Sequence, residues 1–282
     1  MPIPPPATPL DPAVLRRVLC PPAGPWASLR VVARTGSTNA DLLAAAEAGP
    51  AAAPDRSVLV AEHQDAGRGR RDRTWEARPS EGLTLSVLLR PDEVPVERWG
   101  WAPLLVGLAL ADAVTQVGPP GLEVALKWPN DLLLGPDQAK GAGILAEVAS
   151  TAGEARGLVV GVGLNVSSTP QDLPAGATSL TALGVPASRQ DVLVALLAAL
   201  AGLDDRWRAA GGDVVSSGLA EAYRARCATL DRAVRVLLPG DRVLRGRATA
   251  VDDDGRLHVL GPEGDTTVVS AGDVVHVRPD GR

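Results

Sequence analysis

The sequence predicts an α+β protein in which a domain of alternating strands and helices is followed by a small all-β barrel. Three observations predict it. From Ser28 onward, strand-like apolar runs alternate with helical ones. After about Leu230 the helical pattern stops, and short strands follow one another at turn-marked intervals. A chain of 282 residues that is 45% hydrophobic can bury the cores of one large domain or two ordinary ones. The expected segments are a Pro/Ala-rich arm over 1–27, a first domain over 28–230 and the barrel over 231–282.

The elements follow in order. The arm reads as loose, apart from a short helix over Ala13–Leu19. Leu29, Val31 and Ala33 alternate as a strand, and TGSTNADLLAAAEAG is a turn and a helix. Thr38 with Asp41 three residues later has capping-box spacing, and Gly49-Pro50 stops that helix. SVLVAEHQ and GLTLSVLLR are β-like runs on either side of the segment AGRGRRDRTWEARPSE. WAPLLVGLALADAVTQVG reads as amphipathic, with Asp112, Thr115 and Gln116 opposite Leu104, Leu105 and Leu108. LEVALKW, DLLLG, KGAGILAEV and LVVGVGLNV are four strands joined by Pro, Gly, Asn and Asp turns. A long helix from Ser188 carries an apolar stripe from Leu193 to Trp207, and a second helix carries Leu219, Tyr223 and Cys227. Five short strands then run from AVRVLLP to VVHVRP, with Asp254-Gly255 and Glu263-Gly264 as turn signals.

Composition excludes several function classes. A net charge of -5 and a pI near 5.3 argue against general affinity for nucleic acid or anionic membrane. No apolar run approaches the roughly 18 residues that span a bilayer, and the N-terminus lacks the basic start and apolar stretch of a signal peptide. Cys20 and Cys227 make neither a disulfide framework nor a zinc motif, so a cytoplasmic protein with reduced thiols is expected. His63, His258 and His276 have no partners at metal or triad spacing and read as structural; Trp207 and Tyr223 read as core. One skew stands out. Of 28 basic Lys and Arg residues, only Lys127 and Lys140 are lysines.

Three segments can carry chemistry. Residues 67–73, GRGRRDR, hold four arginines and one aspartate directly after a strand. Glycines let such a loop close over a ligand, arginines neutralise phosphate or carboxylate, and Trp75 offers an indole to a planar base. Lys127-Trp128-Pro129-Asn130-Asp131 is a rigid turn that fixes an ammonium beside a carboxylate, a pairing suited to a nucleotide phosphate with magnesium. Gly141 and Gly143 leave one face of a strand bare, and Gly161 and Gly163 repeat the device on the next strand. None of these runs is GxGxxG, so no dinucleotide fold is indicated.

Taken in order, STN at 37–39, QDAGRGRRDRTW at 64–75, KWPND at 127–131, KGAGIL at 140–145 and GVGLN at 161–165 resemble the biotin protein ligases, over roughly residues 30–280. The resemblance implies a class II synthetase-like catalytic domain with a mixed sheet and an SH3-like C-terminal barrel. It implies an enzyme that makes biotinyl-5'-AMP from biotin and ATP, with Mg2+, and transfers biotin to a lysine of a carrier domain of a carboxylase such as acetyl-CoA carboxylase. For biotin it implies Ser37, Thr38, Asn39 and Gln64 around the ureido ring. Gly67, Arg68, Gly69 and Arg70 would close over the carboxylate, and Gly141, Gly143, Gly161 and Gly163 would form the flat wall of the slot. Lys140 would reach the carboxyl/phosphoryl junction and act with Arg70 as the catalytic pair. Arg70, Arg73, Trp75, Lys127, Asn130, Asp131 and Asn165 would serve ATP, with Trp75 over the adenine and Asp131 as the magnesium contact.

Two departures qualify the resemblance. The family loop is commonly GRGRxGRxW, and Asp72 stands here in place of its last glycine. The STN segment arrives by residue 37, which leaves no room for the N-terminal DNA-binding domain of bifunctional members, so neither repressor function nor a DNA partner is expected. Pairing of two copies along a sheet edge is compatible with the family. The alternative inside the superfamily is lipoyl or octanoyl transfer to a related carrier domain. A remote one is an Arg/Gly nucleic-acid-binding module.

Overall fold

The computed structural model describes residues 8–71, 73–151, 154–238, 240, 242–270 and 272–276. Asp72, and with it the expected effect on the loop, lies outside them. The elements of the first part are α1 (Pro12–Leu19), β1 (Ser28–Val32), α2 (Thr38–Glu47), β2 (Ser57–Ala61), β3 (Gly82–Leu89), α3 (Ala102–Val117), β4 (Val124–Lys127), β5 (Asp131–Leu134), β6 (Ala139–Thr151), β7 (Glu154–Asn165), α4 (Arg189–Ala209) and α5 (Leu219–Arg226). They build a seven-stranded sheet in the order β1-β2-β3-β7-β6-β5-β4. The β1–β2 ladder is parallel and the other five are antiparallel, which is the mixed sheet that the family resemblance implies.

The two faces of this sheet are used differently. On one, α3 and α4 pack together over the sheet, and α1 joins them. On the other, α2 covers only part of the surface, with Leu42 and Ala46 against Leu88 and Val159. Next to that patch the same face carries Gly161, Gly163 and Gly143, where side chains would otherwise stand. The cavity forms there.

Several elements differ from expectation. Residues 8–27 are not a loose arm: Leu10, Leu15, Leu19 and Trp26 are buried in the main core, and the Trp26 indole donates to Leu197 O at 3.0 Å. The N-cap of α2 is Ser37 rather than Thr38; its hydroxyl accepts from the amide of Ala40. Thr38 is thereby released from capping and turns towards Gln64. Helix α3 is buried nearly all round instead of on one face, because α4 covers the side away from the sheet. With the short 3-10 turn before it, the segment Val96–Val117 is apolar and long enough to cross a membrane, contrary to the sequence expectation, but two thirds of that window is buried inside the protein. It is a core helix.

The C-terminal part consists of β8 (Ala233–Leu237), β9 (Val243–Val251), β10 (Leu257–Leu260), β11 (Thr266–Val269) and β12 (Asp273–His276). These form an antiparallel sheet in the order β11-β10-β9-β8-β12, with Gly255 and Gly264 at positive φ in its turns. The expected barrel is not closed by hydrogen bonds: no ladder joins β11 to β12 among the described residues. Chain length still demands strong curvature. Four peptide steps from Val269 to Asp273 reach at most about 14 Å, whereas the edges of a flat five-stranded sheet stand about 19 Å apart.

The two parts meet at Thr229, which is fully buried. Its hydroxyl oxygen accepts from the Trp128 amide at 3.0 Å and lies 3.1 Å from Nε2 of His276. Burial, together with the nearby Lys127 and Arg232 cations, lowers the His276 pKa to about 4. Because the folded value lies below the unfolded one of about 6.5, His276 contributes stability above that pH and withdraws it as pH falls towards 4. Melting temperatures at pH 7 and pH 4.5 should therefore fall further apart in the parent than in His276→Gln, and equal acid losses in the two would refute this link.

Candidate active site

The cavity has a volume of about 690 Å³. It is bounded by the start of α2, the loop that carries the arginines, the bare parts of β6 and β7, and the segment Gln171–Pro174. Of the residues proposed for it from sequence, Ser37, Thr38, Asn39, Gln64, Arg68, Gly69, Arg70, Arg73, Trp75, Asn130, Lys140, Gly143, Gly161, Gly163 and Asn165 line it. Gly67, Gly141, Lys127 and Asp131 do not. Gly67 faces an adjoining cavity of about 750 Å³ on the far side of the same loop.

Gly141 is excluded by a β-bulge. Leu132 pairs with Ala142 and Leu133 with Lys140, so Gly141 is the extra residue of β6. Its missing side chain would run into Leu134, away from the cavity. The bulge also brings Lys140 to the face of Gly143, where a Cβ would stand 3.4 Å from its Nζ. The wall expected from glycines is real only at Gly143, Gly161 and Gly163. Even there the vacated space is taken by the protein itself: a Cβ at Gly161 would collide with Asn39 Oδ1, and one at Gly163 with the indole of Trp75. Trp75 thus lies flat on the glycine strands with its Nε1 buried and unpartnered.

At the α2 end, hydrogen bonds orient each amide. Gln64 Oε1 accepts from the Thr38 backbone amide at 2.7 Å, which leaves its Nε2 as the group for a ligand. Asn39 Nδ2 donates to Leu145 O at 3.1 Å and to Glu147 Oε2 at 2.8 Å, which leaves Oδ1. At the other end, Asn130 donates to Ile144 O and Asn165 to Thr178 O, so both also keep their Oδ1 atoms for a ligand.

The charged groups are held by carboxylates of the chain. Arg68 Nη1 lies 3.0 Å from Glu147, and Arg73 Nη2 lies 2.6 Å from Asp273 on β12. Arg70 reaches Gly272 O at 3.3 Å and Arg71 reaches Leu237 O at 3.1 Å, so the arginine loop is seated on the C-terminal sheet. Burial lowers the Arg70 pKa, and Asp273 and Asp131 oppose that shift. Both lysines of the protein converge on one carboxylate: Lys140 Nζ is 2.6 Å from Asp131 Oδ1 and Lys127 Nζ is 3.6 Å from Oδ2. Asp131 therefore does not fit the expected magnesium contact. Two ammoniums already occupy its surroundings, and no group of three His, Cys, Asp or Glu residues gathers among the described residues.

Three contributors were not legible in the sequence: Ser86, Glu147 and Asp273. Ser86 sits inside the largely apolar strand β3, and Glu147 ends the glycine run. Asp273 comes from the other sheet. No spacing rule joins them to the motifs.

Residues 31–165 match the family described as "Biotin/lipoate A/B protein ligase family", and residues 229–277 match "Biotin protein ligase C terminal domain". The chain is 47% identical to the biotin–[acetyl-CoA-carboxylase] ligase of Mycobacterium tuberculosis over 96% of its own length and 97% of that protein. It is 31% identical to the ligase of the same description from Paracoccus denitrificans, over 86% and 98%. In fold it resembles the Aquifex aeolicus biotin protein ligase solved in complex with biotin and ATP, with a TM-score of 0.70 and 24% identity over 90% of this chain and 100% of that one.

The glycine wall yields a direct test. Asn39 is pinned on both sides, so Gly161→Ala cannot be relieved by moving its amide aside. The variant should lose about 1–3 kcal/mol of stability, measured by chemical denaturation, and an unchanged midpoint would mean that Asn39 is free to move.

Proposed function

The chain belongs to the biotin protein ligase family, and from that membership we infer that it activates biotin with ATP and joins it to a lysine on the carrier domain of a carboxylase. The reading extends the activity named for a relative that shares nearly half its residues over almost the full length of both chains. The observation that carries it is the polarity of the cavity's α2 end. Gln64 Nε2 and the Ser37 hydroxyl proton have no acceptor among the described residues, and Asn39 Oδ1 is an acceptor. A cyclic urea offers the matching carbonyl and N–H.

The first step brings a carboxylate against a triphosphate. Two unit charges 4 Å apart repel by about 4 kcal/mol at an effective dielectric near 20. Cations must offset that repulsion, and Arg68, Arg70, Arg73 and Lys140 border the cavity. The biotin carboxylate oxygen attacks the α-phosphorus, and the bond to pyrophosphate breaks. Lys140 supports the charge at the new carboxyl–phosphoryl junction, and Arg70 covers it. Asp131 holds Lys140 in place and fixes Lys127 next to it. The adenine takes the Oδ1 atoms of Asn130 and Asn165 as acceptors for its amino group, with the Trp75 indole as its stacking surface. Magnesium arrives with the triphosphate as part of the nucleotide substrate.

In the second step the acceptor lysine amine attacks the carbonyl of the mixed anhydride. AMP leaves, the amine loses its proton and the amide forms. The anhydride is already activated, so no acid–base residue of the enzyme is required. The reading carries with it a cytoplasmic enzyme with reduced Cys20 and Cys227, without DNA or membrane partners, whose sheet edge is available either to a second copy, as a homodimer, or to the carrier domain.

The alternatives lose ground for stated reasons. A lipoyl or octanoyl chain has no ring N–H or carbonyl to meet Asn39 and Gln64. An Arg/Gly nucleic-acid module would leave its arginines free for phosphates, whereas Arg68 and Arg73, although exposed, are paired with Glu147 and Asp273, and Arg70 reaches Gly272 O. Pyrophosphate release on incubation with ATP should require biotin, and release with lipoate alone would overturn the reading. Lys140→Ala should slow ligation by about one to two decades, since a hydrogen bond to a charged group is worth roughly 1.5–3 kcal/mol. Near-parental turnover would remove Lys140 from the chemistry.

A further inference from the structure

Glu147 lies on the cavity face of β6, and no motif draws attention to it. Its side chain is four-fifths buried, and its two oxygens serve two different residues. Oε1 faces the Arg68 guanidinium at 3.0 Å, and Oε2 accepts from Asn39 Nδ2 at 2.8 Å. A carboxylate can do both because it has about four lone-pair sites and no proton of its own at neutral pH.

The consequence for Asn39 is one of orientation. An amide can present either its oxygen or its nitrogen to a ligand, and the two differ by a flip about one bond. Here the nitrogen is surrounded by two acceptors, Glu147 Oε2 and Leu145 O. The flipped amide would set its oxygen against both of them. The oxygen instead takes the Ser86 hydroxyl at 2.6 Å and lies over the backbone of Gly161. A backbone carbonyl alone occupies one of the two Nδ2 protons; the carboxylate occupies the second and supplies the charge that makes the flip unfavourable.

We propose that Glu147 is a positioning residue that fixes Asn39 as the acceptor for a ureido N–H of biotin, and that ties this end of the cavity to the arginine loop through Arg68. This deepens the biotin-ligase reading and rests on it. One carboxylate thereby coordinates the two halves of substrate recognition. It sets the polarity with which the ring is read, and it holds the guanidinium that faces the substrate carboxylate. The class of ligand selected is a cyclic urea, or another ring with a donor N–H at that position.

The test compares Glu147→Ala and Glu147→Gln by steady-state kinetics with biotin and ATP, with melting temperature as the control for folding. Gln keeps a carbonyl for Asn39 and cannot hold the guanidinium; Ala provides neither. Glu147→Ala should raise the biotin KM about tenfold or more while kcat stays within about threefold, and it should narrow the preference for biotin over an N-methylated biotin. Glu147→Gln should bring the biotin KM part of the way back, to a value between those of Glu147→Ala and the parent, and should recover the preference for biotin over the N-methylated analogue. Three results would overturn the inference: an unchanged biotin KM in folded Glu147→Ala, a fall confined to kcat in both variants, or no recovery in Glu147→Gln. Activity of the parent with biotin reports on the functional reading itself, whereas the ratios of variant to parent report on Glu147.

Discussion

Strand β6 pairs with β7 in unbroken register from Ala142 to Ala149, but against β5 it gains one residue at Gly141. Side chains alternate along a strand, so without that extra residue Lys140 would stand on the opposite face from Gly143, Leu145 and Glu147. The bulge brings the lysine round. It places the ammonium, the bare patch that admits Trp75 and the carboxylate that holds Asn39 on one side of one strand. β5 supplies Asp131 next to it, directly opposite Gly143. The catalytic face of the protein is thus organised by a one-residue irregularity in an otherwise regular ladder.

Around that face the chain fills the space left by missing side chains with its own groups. Asn39 fills the space over Gly161 and Trp75 the space over Gly163. Glu147 and Asp273 stand as carboxylates beside Arg68 and Arg73, and Asp131 stands between the two lysines. Concentrated positive charge would otherwise repel itself and leave the loop without a fixed position. Pairing Arg68, Arg73, Lys127 and Lys140 with carboxylates of the chain keeps the site assembled, and an incoming anion then competes for groups that are already aimed. The C-terminal sheet belongs to this arrangement. Gly272, Asp273 and Leu237 seat the arginine loop, and His276 meets the buried Thr229 behind the lysine-bearing turn.

The nearly complete replacement of lysine by arginine has a structural counterpart. The two lysines that persist share Asp131, where a compact ammonium on a flexible stem can approach a single carboxylate from either side. A planar guanidinium at either position would need more room and a different set of acceptors.

Much was determined by the sequence alone. Periodicity and turn residues specified nearly every strand and helix, because alternation and capping are local properties of the chain. The order of the five motifs identified the family and most of the cavity lining. What local pattern could not decide was direction and partnership. Gly141 and Gly143 look equivalent in the sequence, yet the pairing register with β5 turns one away and leaves the other facing the cavity. Thr38 has the spacing of a cap, yet Ser37 takes that role once the backbone enters the helix. Asp131 reads as a metal contact until Lys140, nine residues on, is brought against it. Residues 8–27 read as an arm because Pro and Ala give no periodicity, whereas their fit between α4 and β1 is set by surfaces far along the chain. Glu147, Ser86 and Asp273 carry no signal at all. Their roles exist only where separate strands are folded side by side, because a hydrogen bond between distant segments depends on register and distance, and neither is written in local order.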